Sequence, residues 1–277
     1  MQGSILVTGG NRGIGAAIAE SLRRRGHDVI IVCRDRDRSH DFIRRMEAGG
    51  LPGIRFIEGD MGSVAGARAA AQRIRAEARL VRAFIHNAGM WPVEKSLNED
   101  GLEQSFVTNH LAPFIVNMLL EDIFCAHGSR VVQVSAGLYV LGMKDCARTA
   151  TGANYSLAKT YATTKLLNLI ATMAFAERWK GRGATINAVH PGVVRTGLGD
   201  GIGGFGGMLL GVLRILLLSP AKGALAPVAL AIDPRHEGTS GAYFDRFTLR
   251  ALKPVANDPA FSREVWEQAL ALCGFKA

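Results

Sequence analysis

The chain has 277 residues, 48% of them hydrophobic, and no Ser, Pro or low-complexity run that would act as a linker, so residues 1–277 are expected to bury one core as a single domain. The formal charge is +9, but the arginines are scattered and not interleaved with aromatics in one stripe, which argues against a nucleic-acid partner and suits an anionic small ligand equally well. Cys33, Cys125, Cys146 and Cys273 lie far apart without a Cys-x-x-Cys pair, and the N-terminus passes from Gln2, Gly3 and Ser4 straight into Ile5, so the expectation is reduced thiols, no metal, no transmembrane segment and a cytoplasmic location.

In chain order, short β-branched and aliphatic runs at 5–8, 29–33, 54–57, 81–86, 131–135 and 185–189 alternate with longer stretches at helical spacing. Such continuous apolar runs, each followed by a helix-sized segment, fit strands buried on both faces of a parallel sheet. The spacing predicts the α/β class: a doubly wound parallel sheet of Rossmann type.

Directly after the first run comes Thr8-Gly9-Gly10-Asn11-Arg12-Gly13-Ile14-Gly15, and Ala16, Ala17, Ile18, Ala19 and Leu22 continue as a helix. Glycines let the backbone turn tightly against a pyrophosphate, while a helix N-terminus presents free N–H groups and a partial positive charge. Glycines also mark ordinary turns, but strand, glycine turn and helix is the context a dinucleotide site requires. About twenty residues beyond such a loop an acidic side chain accepts the ribose 2′-hydroxyl of NAD. Here the second run ends Val32-Cys33-Arg34-Asp35-Arg36, with a guanidinium suited to a phosphate and Arg12 in the loop to assist. The cofactor this predicts is NADP(H). Asp35 speaks against it, and a solvated arginine is the other reading of Arg34.

Four further stretches follow: Asn87-Ala88-Gly89, Asn109-His110-Leu111, Tyr161-Ala162-Thr163-Thr164-Lys165, and His190-Pro191-Gly192-Val193-Val194-Arg195-Thr196. Together with the glycine loop they resemble the short-chain dehydrogenase/reductase superfamily, in order over nearly the whole chain. The wording around Asn109, the Lys165-Leu166-Leu167-Asn168 run, the His190-Pro191-Gly192 turn and Ser240-Gly241-Ala242-Tyr243-Phe244 are most similar to the branch containing retinol dehydrogenases and protochlorophyllide reductases. The resemblance implies that Gly9, Gly13 and Gly15 form the pyrophosphate loop, with Asn11, Arg12 and Ile14 beside them at the cofactor, and that Asp60 and Met61 bracket the adenine. It implies that Asn87, Ala88 and Gly89 line the cofactor, and that Pro191, Gly192, Val194 and Thr196 hold the carboxamide. Asn109 would order a water in a proton relay. Many members of that branch carry an N-terminal anchor that this N-terminus does not show, which argues against a retinoid substrate.

Carbonyl reduction needs a hydride from the cofactor and a proton from the protein. Tyrosine is an adequate acid, and a neighbouring ammonium favours its phenolate. Lys165 stands one helical turn after Tyr161 and reaches the same face. Tyr155-Ser156-Leu157-Ala158-Lys159 has the same spacing six residues earlier. The apolar helix continuing from Leu166 favours Tyr161, leaving Tyr155 near the helix start. The resemblance also implies a serine at the end of the fifth strand, usually the second of a Ser-Ser pair, whereas this chain reads Ser135-Ala136. Either a bulge turns Ser135 inward or the hydroxyl is missing.

The segment 193–220 interrupts the rhythm with seven glycines between positions 197 and 207 that lead into an apolar stretch, 208–218, too short to span a bilayer. It is expected to be a substrate lid, with a packed helix, an interface or a membrane contact as alternatives. The long helix from Tyr161 to Trp179 suggests a homodimer or homotetramer, although core burial explains its faces as well. The expectation is an NADPH-dependent reductase, or the reverse alcohol dehydrogenase, of a small, largely apolar carbonyl or alcohol. Tyr161 is its acid, Lys165 lowers the tyrosine's pKa, and Asn109 and Ser135 assist. A rival is a regulatory or scaffold protein that binds NADP(H) without turnover.

Overall fold

Along the chain, β1 (Ser4–Thr8), α1 (Gly13–Arg24), β2 (Asp28–Cys33), α2 (Arg36–Ala48), β3 (Ile54–Glu58), α3 (Val64–Glu77) and β4 (Val81–His86) alternate strand with helix. In this computed structural model, which describes residues 3–195 and 217–276, the alternation continues. A helical turn Gln104–Phe106 and a π-helical stretch Val107–Leu111 lead into α4 (Ala112–His127), followed by β5 (Arg130–Val134) and the short α5 (Cys146–Ala150). Then come α6 (Leu157–Arg178), β6 (Thr185–His190), α7 (Pro220–Ile232), β7 (Tyr243–Asp245), β8 (Thr248–Arg250) and α8 (Pro259–Cys273). The eight strands form one sheet in the order β3-β2-β1-β4-β5-β6-β7-β8. Every pairing is parallel except the terminal β7–β8 hairpin.

Strand side chains alternate faces, and two apolar clusters follow from that period. Leu6, Ile30, Val32, Phe84, Val131 and Ile186 face α3, α4, α6 and α8. Ile5, Val7, Ile31, Ile85, Val132 and Val134 face α1, α2 and α7. Because both faces are covered, the strands are apolar throughout, which is why the runs were legible as strands. The hairpin β7–β8 was not expected. Its strands have three residues each, and β8 is exposed, so neither carries a hydrophobic run.

Helix α6 begins at Leu157 with Ser156 as its N-cap, and most of its residues from Thr160 to Thr172 are buried. It packs within the chain against β6, α8 and the 3₁₀ turn Gly137–Leu141, so its apolar faces are already used there. Of the expected insertion at 193–220, residues 196–216 lie outside the described residues, as does Thr196. Among the described residues no helix is long and apolar enough to cross a membrane.

Candidate active site

β1 and β4 are sheet neighbours from which the chain winds in opposite directions, and in a sheet of this kind the crevice lies beyond their C-terminal ends. The glycine loop crosses this crevice. Gly9 adopts φ +64°, and a Cβ on Gly15 would fall 2.2 Å from the Gly9 carbonyl oxygen, so larger residues at these positions would push the N-terminus of α1 off the loop. Thr8 Oγ1 accepts from the backbone N–H groups of Asn87 (3.0 Å) and Ala88 (2.9 Å), and Asn87 Nδ2 donates to the Thr8 carbonyl at 3.0 Å. These bonds lock the loop after β4 to the loop after β1. Thr8 was quoted in the motif but not expected as a partner; a hydroxyl at the end of a buried apolar strand was the available signal.

Asn11 is buried and donates to Ser39 Oγ at 3.0 Å, so its amide braces the loop against the start of α2. Asp35 caps α2: its Oδ1 accepts from Arg38 N at 2.9 Å, and Oδ2 lies 3.5 Å from Arg38 Nε. An N-cap of this kind contributes about 1 kcal/mol. The carboxylate that spoke against NADP(H) is thus engaged by its own helix. Arg34 and Arg12 are exposed and have no carboxylate partner among the described residues. Glycine cradle and open helix N-terminus together fit the pyrophosphate of a dinucleotide. Ile14 packs on the α1 side of the core.

Four further elements meet beside this crevice. Asn109 is fully buried in the π-helical stretch: its Oδ1 accepts from Met90 N (2.8 Å) and its Nδ2 donates to the Met90 carbonyl (2.9 Å) and to Thr164 Oγ1 (3.0 Å). The widened turn leaves the Asn109 carbonyl free to accept from Asn168 Nδ2 at 2.8 Å. A Cβ on Gly89 would lie 3.2 Å from Asn109 Oδ1 and 3.5 Å from Lys165 Nζ, so Gly89 sits directly against both. Lys165 is buried, donates to the Val134 carbonyl at 3.1 Å, and lies 5.8 Å from the centre of the Tyr161 ring.

Burial disfavours charge on both groups: it pushes the Tyr161 phenol well above its ordinary range and the Lys165 ammonium down to about 8. Lys165 turns its ammonium to the Val134 carbonyl, and burial is the cause that raises the Tyr161 phenol. A residue without any sequence signal, Trp91, stacks on Tyr161 with ring centres 4.5 Å apart and 12° between planes.

The two Tyr-x-x-x-Lys pairs differ sharply. Tyr155 precedes the N-cap of α6 and donates its hydroxyl to the Pro92 carbonyl at 2.8 Å, while Lys159 is exposed. That pair does not share a helical face. Nor is there a bulge in β5: its register with β4 and β6 is regular, Ser135 N continues the ladder to the Val189 carbonyl at 2.8 Å, and Ala136 is extended. Ser135 Oγ is buried with no hydrogen-bond partner among the described residues. Alternation puts Ser135 on the same face as Val131, the side of α6.

Beyond β3, Asp60 Oδ1 accepts from Gly62 N at 2.9 Å, and Met61 is buried in the core. Beyond β6, Pro191 is buried, Gly192 adopts φ +90°, and Val194 packs against Gly223 of α7.

The short chain dehydrogenase family profile matches residues 4–203. Human retinol dehydrogenase 14 is 33% identical over 98% of this chain and 86% of its own length. Among solved structures, an uncharacterised protein from Mycobacterium paratuberculosis superposes with a TM-score of 0.77 at 24% identity, covering 99% of this chain and 94% of that one. A blue fluorescent protein from a metagenomic library, solved in complex with NADPH, superposes with a TM-score of 0.68 at 25% identity, covering 88% of this chain and 96% of that one.

Proposed function

The chain belongs to the short chain dehydrogenase family, in the branch of the retinol dehydrogenases, and from that premise we propose that it is an NADP(H)-dependent reductase of a small, largely apolar carbonyl compound, or the dehydrogenase of the corresponding alcohol. One observation carries this reading: a buried Tyr161–Lys165 pair beside Gly89 and Asn109, at the edge of a crevice whose loop can cradle a pyrophosphate. Arg34, assisted by Arg12, binds the 2′-phosphate. Gly9, Gly13, Ile14 and Gly15 carry the pyrophosphate, Asp60 and Met61 lie at the adenine, and Asn87, Ala88, Pro191, Gly192, Val194 and Thr196 line the nicotinamide half. When bound, the nicotinamide supplies or accepts the hydride.

The remaining chemistry belongs to the chain's own residues. Tyr161, held as the neutral phenol by burial, donates its proton to the oxygen of the substrate during reduction. Lys165 stabilises the phenolate left behind while it is charged, which its pKa near 8 allows at neutral pH. Asn109 spends its side chain on Met90 and Thr164 and is held rigid. Its carbonyl keeps a second lone pair for a water leading towards Lys165. Ser135, with its orphaned hydroxyl, is the donor to the substrate oxygen.

Ala136, standing where the resemblance implies a serine, favours a second reading, in which the protein binds NADP(H) but turns over weakly as a regulatory or scaffold protein. A protein first shown by titration to bind NADPH is then tested for NADPH consumption against a panel of apolar aldehydes and ketones. Consumption supports the reductase; binding without turnover across the panel supports the scaffold. A cytoplasmic homo-oligomer is part of the proposal.

A further inference from the structure

The loop after β4 is tied to the π-helical stretch and to the start of α6. The Met90 backbone is clamped by the Asn109 amide, Trp91 Nε1 donates to the Leu157 carbonyl at 2.6 Å, and the Pro92 carbonyl accepts the Tyr155 hydroxyl at 2.8 Å. Leu157 opens α6 one turn before Tyr161, so the indole is anchored on the helix whose tyrosine it covers. Trp91 is half-buried, and its plane lies nearly parallel to the phenol ring.

We propose that Trp91 is a positioning residue for Tyr161: the indole, pinned by Leu157 and by the Tyr155–Pro92 latch, fixes the phenol ring and keeps water off one of its faces. This rests on the reading of Tyr161 as the proton donor. A parallel stack at 4.5 Å is a favourable aromatic arrangement, and it leaves that face no room for solvent. The Leu157 bond makes the arrangement specific, because an indole held only by stacking could slide along the ring. Lys165 is the cation against the phenol, from its own helix; the loop and the π-helical stretch bring only the neutral Trp91 and Asn109. The surplus Tyr-x-x-x-Lys match finds a use here as well, since its tyrosine closes the latch rather than transferring protons.

The proposal separates from a substrate-contact role by how kcat and KM divide. With NADPH and benzaldehyde as the probe substrate, Trp91→Leu and Trp91→Ala should lower kcat by about 10- to 100-fold, the usual effect of misplacing a reacting group, with KM for benzaldehyde and NADPH affinity nearly unchanged. Trp91→Phe, which keeps a ring on the phenol but loses the bond to Leu157, should recover part of the loss. A raised KM with kcat retained would make Trp91 a substrate contact and overturn the proposal. So would unchanged kcat in a Trp91→Leu protein that melts like the parent.

The structural half is read without turnover, by NMR of protein carrying ¹³C at the tyrosine hydroxyl carbon, with the Tyr161 signal assigned through Tyr161→Phe. A Tyr161 signal that titrates at lower pH in Trp91→Leu supports the stack, and one that stays in the phenol form to the same pH in both proteins overturns it. Full activity in Tyr161→Phe defeats the reading of Tyr161 as acid, a result distinct from any outcome at Trp91.

Discussion

Replacing Arg34 by alanine should erase most of a preference for NADPH over NADH. The exposed Arg34 guanidinium has no carboxylate partner among the described residues, so contact with a 2′-phosphate breaks no existing ion pair. A hydrogen bond to a charged group contributes about 1.5 to 3 kcal/mol when well formed. Solvent exposure pulls that towards the lower end, and about 1.4 kcal/mol corresponds to tenfold, so the parent should favour NADPH by roughly ten- to thirtyfold. Asp35 sharpens the test. Its carboxylate is engaged by Arg38 N at 2.9 Å, so Asp35→Asn should leave NADH affinity unchanged. The assay is fluorescence titration of both reduced cofactors at low and high salt, where screening should shrink the NADPH preference. Equal affinities in the parent, an undiminished preference in Arg34→Ala, or a selective loss of NADH binding in Asp35→Asn would each refute the reasoning.

Tyr161→Phe should lower turnover by about 10² to 10⁴ while NADPH titration stays nearly intact, whereas Tyr155→Phe should cost less than about tenfold. Full activity in the first with loss in the second would move the roles to Tyr155 and Lys159. Ser135→Ala should lower turnover by about 10² to 10³ if the hydroxyl meets the developing oxyanion. Its buried Oγ has no partner to lose, so denaturant melts should show stability unchanged or higher. Burial holds the imidazoles of His86 and His110 at about 4 and about 3, against 6.5 when exposed, so the unfolded chain takes up protons first. Their contribution is complete above pH 6.5 and is lost as pH falls towards the folded values, by about 3 kcal/mol for the pair at pH 5.5. Urea melts at pH 7.5 and 5.5 that coincide would show that these rings are not buried neutral.

Strand runs, the glycine loop and the Tyr161–Lys165 spacing were legible in the sequence because each is set by local periodicity or local backbone demand. A strand covered on both faces must be apolar throughout, a loop crossed closely by a helix must carry glycine, and two side chains on one helical face must stand about four residues apart. The matters left open were decided by contacts between distant segments. Asp35 is an acid at the ribose position by spacing, yet it caps α2. Tyr155 matches Tyr161 in spacing and is separated from it only because α6 starts at Leu157. The regular ladder of β5 removes the bulge that Ser135 was allowed, and Trp91 meets Tyr161 seventy residues away through a loop with no pattern of its own. Periodicity records which face a residue shares with its chain neighbours; which other segment covers that face is set by packing across the sheet, and only the folded structure records it.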